Sequence, residues 1–360
     1  DDLQKATELL PASYGSREKG RATKGAAYAL KSRVELYDKR YEDVIKSCAE
    51  VYKLGYELVD GTTPEKYRSI WWTTNKDNKE IIFDVQYKSP DVYNNMMVCN
   101  MVTYINDKYG DRGWGGLGPT QELIDAFEMA DGTPATQYSQ APADQVFDIN
   151  TCGIYEGREP RFYANIVFHG SQIFFNADKG AVTVDRYLMD TPDKGDGSLT
   201  GYNVWKWIDY DNYNYPYAGA GSPDFSTNWI ILRYAEIYLN DAEARLETGD
   251  VEGARKAVNM IRQRVGLPDL TESDPEKLRE LIRKERRIEF AFEEQRFYDV
   301  RRWKIGPETQ TTLHGVRFVS PTEFKVTKTD IRTWNDRLYL TPVPHDEIVR
   351  SSVLKQNPGY

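Results

Sequence analysis

The sequence predicts a mostly α-helical fold built from helical hairpins, with a loop-rich region that contains short β-strands. Three observations predict it: two matching pairs of amphipathic segments, one long amphipathic segment at 275–303, and a middle region rich in Gly, Pro, Asn and Tyr. We expect a single domain over 1–360. We expect its helical scaffold at 1–55 and 228–305, a loop-rich, ligand-facing region at 56–227, and a segment that packs on the scaffold at 306–360.

The two hairpins have the same pattern. The first occupies residues 22–54 with a turn at 38–40, and the second occupies 233–265, about 210 residues later, with a turn at 248–250. At that offset the apolar positions pair Leu36 with Leu246, Val44 with Ala254, Cys48 with Val258 and Val51 with Ile261. Ala-rich helices joined by such turns resemble tetratricopeptide units, which stack on one another. We therefore expect the two hairpins to pack against further helices.

The remaining elements follow from local signals. Leucines at 3, 9 and 10 predict an amphipathic helix at the amino terminus. Pro275 suits a first helical turn, with Thr271 or Ser273 as its cap, and the apolar stripe that follows predicts one helix to Trp303. The runs at 81–85 and 162–168 predict short strands within the loop-rich region.

Composition excludes several classes of partner. A net charge of −9 and a pI near 5.2 argue against a nucleic-acid or anionic-membrane surface. The 3 Cys and 3 His are far apart in sequence, so neither a disulfide framework nor a zinc site is predicted. We expect no metal and no cofactor. The 25 Tyr and 8 Trp against 13 Phe give an excess of rings with a polar group, which suit half-wet surfaces.

Carboxylates and arginines alternate in the segment at 285–303. Glu285, Glu289 and Glu293 share one helix face at i, i+4 spacing, which is one way to place acids for catalysis. The alternative is that they pair with Arg286, Arg296 and other arginines and hold helices together. We favour this structural interpretation, and we expect no catalytic residue.

Two loops carry candidate binding rings. Trp114 lies among glycines at 110–118, where an indole can lie flat on the C–H face of a sugar, or else fold back over the core. Tyr93 precedes Asn94 and Asn95, whose amides both donate and accept hydrogen bonds, as sugar hydroxyls require. The alternating Trp205 and Trp207 instead favour one face of a buried strand.

Several ordered motifs resemble those of SusD/RagB proteins. They are GRATKGAA at 20–27, the block 120–132 with AFE and DG, RYAE at 233–236, DAEA at 241–244, NMIRQR at 259–264, ERRIE at 285–289, RFYDVRRW at 296–303 and QNPGY at 356–360. The matches run in order along essentially the whole chain. The resemblance identifies the sequence as a SusD-like protein.

This resemblance implies a non-catalytic lipoprotein of the Bacteroidetes outer membrane, exposed on the cell surface. Such a protein captures glycans for nutrient uptake and passes them to a SusC-like TonB-dependent transporter. The implied fold is an α-α superhelix of four tetratricopeptide-like units. The lipobox cysteine and the helical amino-terminal region of the family are not seen in this sequence, so we expect the anchor to lie outside it.

The resemblance also implies where a glycan binds. Family members that bind glycans carry an aromatic arc in loops before the block at 120–132, which by position points to Trp72, Tyr93 and Trp114, with Asn94 and Asn95 as polar partners. Two alternatives stay open: a glycoside hydrolase that uses a carboxylate pair, and a helical adaptor that binds peptide or protein ligands. The sequence does not select the glycan.

Overall fold

The structure, a computed structural model, describes residues 1–88, 91–92, 100, 102, 115–176, 180–189, 198–209 and 226–360. Its α-helices are α1 (Asp2–Leu9), α2 (Lys24–Tyr37), α3 (Tyr41–Tyr52), α4 (Pro64–Arg68), α5 (Gln121–Ile124), α6 (Ile149–Cys152), α7 (Pro160–Asn165), α8 (Arg186–Met189), α9 (Tyr234–Glu247), α10 (Val251–Arg264), α11 (Pro275–Glu289), α12 (Gln295–Arg302) and α13 (His345–Arg350). Its strands are β1 (Ile81–Val85), β2 (Val146–Asp148), β3 (Ile166–Val167), β4 (Gln172–Asn176), β5 (Gly180–Thr183), β6 (Asn203–Val204), β7 (Trp229–Arg233), β8 (Thr311–Phe318) and β9 (Glu323–Arg332). The predicted mostly helical class with short strands is confirmed.

The two predicted hairpins are α2–α3 and α9–α10. Thr23 caps α2 by accepting a hydrogen bond from the Ala26 amide at 3.2 Å, and Asp250 caps α10 by accepting one from the Gly253 amide at 2.8 Å. Helix α9 packs on α10 and also on α2 and α3, so the two hairpins pack directly against each other. The eight residues that coincide between the hairpins are all buried: Leu36, Val44, Cys48, Val51, Leu246, Ala254, Val258 and Ile261.

The predicted single helix from 275 to 303 is wrong, because it is interrupted between α11 and α12. Phe292 and Glu294 adopt positive φ angles of 66° and 63°, which no α-helix contains. At this interruption of the helix the Glu293 carboxylate pairs with Arg233 and Lys206. The cap of α11 is Asp274, which accepts hydrogen bonds from two amides at 3.0 Å each, and not Thr271 or Ser273.

The strands form small antiparallel sheets. Strand β1 pairs with β7, β2 and β8 flank β9, β3 pairs with β6, and β4 pairs with β5. The predicted strand at 81–85 is confirmed as β1. The one at 162–168 is wrong in its first half, because Pro160 starts helix α7 and only Ile166–Val167 pairs as a strand.

The amino-terminal helix forms as α1, but its predicted apolar stripe is only partly buried, with Leu3 and Leu10 half-buried. Leu9 is 81% exposed, and the buried residue of this helix is Thr7. A second core lies under the β8–β9 hairpin, where Phe127, Phe162 and Phe324 are fully buried. No helix within the described ranges is both long and apolar enough to cross a membrane.

Candidate ligand-binding site

Trp72 lies at a corner between two short turns of 3₁₀ helix, at 69–71 and 73–75. Side-chain amides hold this corner: Asn75 Nδ2 donates to the Ser69 carbonyl at 2.9 Å, and Asn78 Nδ2 donates to the Ile70 carbonyl at 3.1 Å. The Trp72 backbone amide also donates to Ser69, at 3.3 Å. The backbone that carries the indole is therefore fixed by hydrogen bonds on both sides.

The adjacent tryptophans have different environments. Trp71 is 4% exposed, and its ring packs 5.4 Å from the Tyr67 ring and 4.7 Å from Lys206 Nζ. Trp72 is half-buried. Trp71 thus anchors the corner in the protein interior, while part of Trp72 remains accessible to solvent.

A buried carboxylate joins this corner to the segment that ends at residue 209. Asp209 Oδ2 accepts hydrogen bonds from the Thr73 amide and the Thr73 hydroxyl, both at 2.8 Å. Trp205, in the segment that ends at residue 209, has its ring 4.3 Å from the guanidinium of Arg68, which ends helix α4. The corner is thus held by charge-assisted contacts as well as by its own amides.

Of the predicted ring arc, the structure describes only Trp72. Tyr93, Asn94, Asn95 and Trp114 lie outside the described residues, so their distances to Trp72 are untested. Trp205 and Trp207 are 7% and 8% exposed, as expected of core residues, although the strand ends at Val204 before either of them. Trp207 has a positive φ of 67°, so it does not continue the strand, and its ring packs against that of Trp229.

A group of ionised side chains, which we call the buried ion cluster, lies beneath Trp71. It is one connected network of six acidic and six basic side chains: Glu80, Glu128, Glu159, Arg161, Lys206, Arg233, Arg262, Arg264, Lys284, Glu285, Glu289 and Glu293. Because the charges are equal in number, the cluster is neutral as a whole. That neutrality allows it to be buried.

The three glutamates predicted on one helix face belong to this cluster, although Glu293 lies beyond the end of α11. Glu289 Oε1 accepts from Arg233 Nη1 at 2.6 Å, Glu289 also pairs with Arg264, and its Oε2 accepts from Arg161 Nη1 at 3.0 Å. Burial favours the neutral acid, but the surrounding guanidinium groups outweigh burial and hold the pKa of Glu289 well below its usual value.

Such a group stays ionised at neutral pH and has no proton to donate, so Glu289 is suited to structure rather than to acid catalysis. The structural interpretation of these glutamates is therefore supported, because they pair with other arginines of the fold, although not with the two that were named. Arg286 binds Asp299 and Asn240 instead, and Arg296 forms no ion pair with any described residue.

Lys206 links the cluster to the Trp71 ring. Its Nζ donates to the Glu289 carbonyl at 2.9 Å and the Ala291 carbonyl at 3.1 Å, and pairs with Glu293 at 2.6 Å. Burial lowers the pKa of Lys206 to about 8, against the attraction of Glu293. The sequence analysis missed Lys206, and the signal for it was a lysine placed between two tryptophans that both proved to be buried.

Among the described residues, no group of His, Cys, Asp and Glu side chains is placed to hold a metal ion. Two of the three histidines contact other groups: His314 Nδ1 lies 2.7 Å from Glu122 Oε1, and the His169 ring stacks on Phe318 at 4.1 Å.

Comparisons with known proteins give consistent results. The model of the SusD family matches residues 79–360. Two curated SusD-like proteins of Formosa agariphila are similar: one is 38% identical over 155 residues, 40% of this chain and 28% of that protein, and the other is 24% identical over 376 residues, 100% of this chain and 63% of that protein. The chain thus spans less than two thirds of the length of either relative.

Solved structures resemble the fold closely. A SusD-like protein from Bacteroides fragilis NCTC 9343 is 98% identical with a TM-score of 0.95, and the match covers 100% of this chain and 69% of that one. A surface glycan-binding protein A from Bacteroides fluxus is 25% identical with a TM-score of 0.67, over 100% of this chain and 68% of that one. The family match covers well over half of the sequence and agrees with these neighbours. The chain belongs to the SusD family.

Proposed function

We propose that this chain is part of a non-catalytic protein that captures an oligosaccharide or polysaccharide at the cell surface. Membership of the SusD family supports this, as does its similarity to a protein named a surface glycan-binding protein. The observation that carries the proposal is Trp72, a half-buried indole on a fixed corner above the buried ion cluster. A rigid ring loses little conformational entropy when a ligand stacks on it.

The proposed binding surface joins Trp72 to Tyr93 and Trp114, with Asn94 and Asn95 as hydrogen-bonding partners. The indole provides apolar area for the C–H face of a pyranose, and the amides provide both donors and acceptors for its hydroxyls. In this proposal residues 56–227 face the ligand, while 1–55, 228–305 and 306–360 form and brace the scaffold.

Calorimetric titration with a panel of oligosaccharides tests the site. We expect Trp72→Ala to bind the recognised sugar about tenfold more weakly, equivalent to about 1.4 kcal/mol, and Trp72→Phe to keep most of the affinity because it keeps a ring. Trp114→Ala serves as the parallel test of the second ring. Unchanged affinity in Trp72→Ala for every bound sugar would remove this residue from the site.

Two further assays separate the alternatives. Release of reducing sugar by the purified protein would support a glycoside hydrolase and contradict the proposal. Binding of peptides, with no binding of any sugar on a carbohydrate array, would support a helical adaptor.

We further propose that the captured glycan is delivered to a SusC-like TonB-dependent transporter, and that the full protein is a lipoprotein held at the outer membrane by an anchor outside this chain. Co-purification of the transporter with the tagged full-length protein tests the first part. Digestion of intact cells with an added protease tests the second, since a surface protein is cleaved without lysis.

A further inference from the structure

The end of α11, helix α12 with the residues just after it, the end of β9 and the segment after β9 carry basic side chains that form no ion pair with any described residue. We call this surface the basic face, and its members are Arg287, Arg296, Arg301, Lys304, Arg332 and Arg337. Neighbouring Arg302 shows the contrast, because it pairs with Glu243 and with Asp299. The acids that attract one member, Arg296, are Asp299, which already pairs with Arg286 and Arg302, and Glu308. In a chain with a net charge of −9, a surface with six cations that form no ion pair within the described part of the chain is a place where an anion would be attracted.

Three of these arginines repel one another. The pKa of Arg287 is lowered to about 10, first by burial and then by the positive charges of Arg296 and Arg332. The negative charge of Glu122 acts in the opposite direction. The hydrogen bond of Arg287 is to the Glu122 carbonyl at 3.3 Å, and Arg296 forms none with a described residue. The Glu122 carboxylate is already engaged by His314. Like charges held together are stabilised by an anion from outside.

Aromatic rings interleave with these cations. The Arg301 guanidinium lies 3.4 Å from the centre of the Phe297 ring and 5.6 Å from that of Trp334, and its Nε is buried with no acceptor. Phe297 is 47% exposed. The Trp334 indole is half-buried, packs over Gly306 and donates to Asp336 at 3.2 Å. The face thus combines exposed ring surface with guanidinium groups that form no ion pair with a described residue.

We propose that the basic face binds polysaccharide that carries carboxylate or sulfate groups, with Phe297 and Trp334 against sugar rings and Arg296 and Arg332 on the anions. Guanidinium groups bind both anions through paired N–H donors. This site is built from different elements than the Trp72 corner, so it is a second site beyond the proposed function.

Binding of charged polymers and their uncharged parents by the full chain tests the proposal. The contribution of sulfate is tested by comparing dextran sulfate with dextran. The contribution of carboxylate is tested by comparing polygalacturonate with its methyl ester. We expect the charged polymers to bind at low salt and to weaken as salt rises, and the parents not to bind. Arg296→Gln with Arg332→Gln should weaken binding by about tenfold or more, as expected for lost charge-assisted bonds.

Matched variants separate this site from general attraction. Lys46→Gln with Lys256→Gln removes the same charge from exposed positions elsewhere and should change nothing. The variant with Arg296→Gln and Arg332→Gln should keep its affinity for an uncharged oligosaccharide bound at the Trp72 corner, so failure of the first site is distinguishable from failure of the second. Phe297→Ala should weaken binding of the polysaccharides but not of polyglutamate.

Three results would overturn the proposal. They are no binding of either charged polymer, an equal loss in the lysine control, and binding of polyglutamate or single-stranded DNA as tight as that of the polysaccharides.

Discussion

Replacing Glu289 by glutamine removes a charge that pairs with three of the six basic side chains of the buried ion cluster. The change keeps the shape of the side chain but leaves the cluster with six basic and five acidic groups. Glu289 contacts Arg161, Arg233 and Arg264, and the side chains of Glu289 and Arg161 are 0% exposed. The substitution therefore leaves an uncompensated positive charge away from water.

The expected loss is about 3 kcal/mol of unfolding free energy. Breaking a buried ion pair from one side costs about 3 to 5 kcal/mol. The lower end applies because each cation keeps another acid: Arg161 keeps Glu159 at 2.6 Å, and Arg233 keeps Glu80 at 2.8 Å.

Equilibrium unfolding in urea, followed by tryptophan fluorescence and circular dichroism, measures this loss. The matched control is Glu252→Gln, an exposed acid paired with Lys256 at 2.6 Å, which should unfold at the wild-type urea concentration. If Glu289→Gln unfolds together with that control, the cluster does not stabilise the fold and the reasoning is refuted.

Three further predictions follow from the same structure. The stabilisation by Glu289 should depend on pH, because its pKa is lower in the folded state than in the unfolded state. The difference in unfolding free energy between wild type and Glu289→Gln should be constant above about pH 5 and should shrink as the pH falls below about 4.3, the pKa of an unfolded glutamate. Urea midpoints at several pH values measure this difference. Gly306→Ala places a methyl group into the Trp334 indole and should cost about 1 to 3 kcal/mol, whereas Gly15→Ala, with open space around it, should cost nothing in the same thermal melts. Asp250→Ala removes the α10 cap and should cost about 1 kcal/mol, while Asp250→Asn should restore most of it.

Each of the three has a result that contradicts it. If the difference in unfolding free energy between wild type and Glu289→Gln grows as the pH falls, Glu289 is neutral in the folded state. Equal melting of the two glycine variants would mean that the indole does not pack on Gly306. An asparagine variant as unstable as the alanine one would assign the effect to the Arg245 ion pair at 2.7 Å rather than to the cap.

The helical hairpins were predictable because their information is local. Apolar spacing and a short turn define each helix, and positions such as Cys48 and Val258 are buried as expected. The break after α11 was not predictable in this way. It depends on Glu293 reaching Arg233, a contact between residues 60 positions apart that helical periodicity does not contain.

The candidate site was only partly predictable for a related reason. The residues that position Trp72 are Asn75, Asn78 and Asp209, whose roles depend on which backbone groups their side chains reach. A pattern of residue types indicates that rings and amides are present. It does not say which ring is held rigidly, because that depends on contacts across the fold.

The buried ion cluster also bears on how such a protein can change over evolutionary time. Its members come from residue 80, from 128, from 159–161, from 206, from 233, and from the region 262–293, so it joins points of the chain that are distant in sequence. Stretches between those points, such as 81–127, 129–158 and 162–205, can be lengthened, shortened or exchanged while the ion pairs stay in place. New ligand preferences can thus arise by replacing loops without rebuilding the helices beneath them.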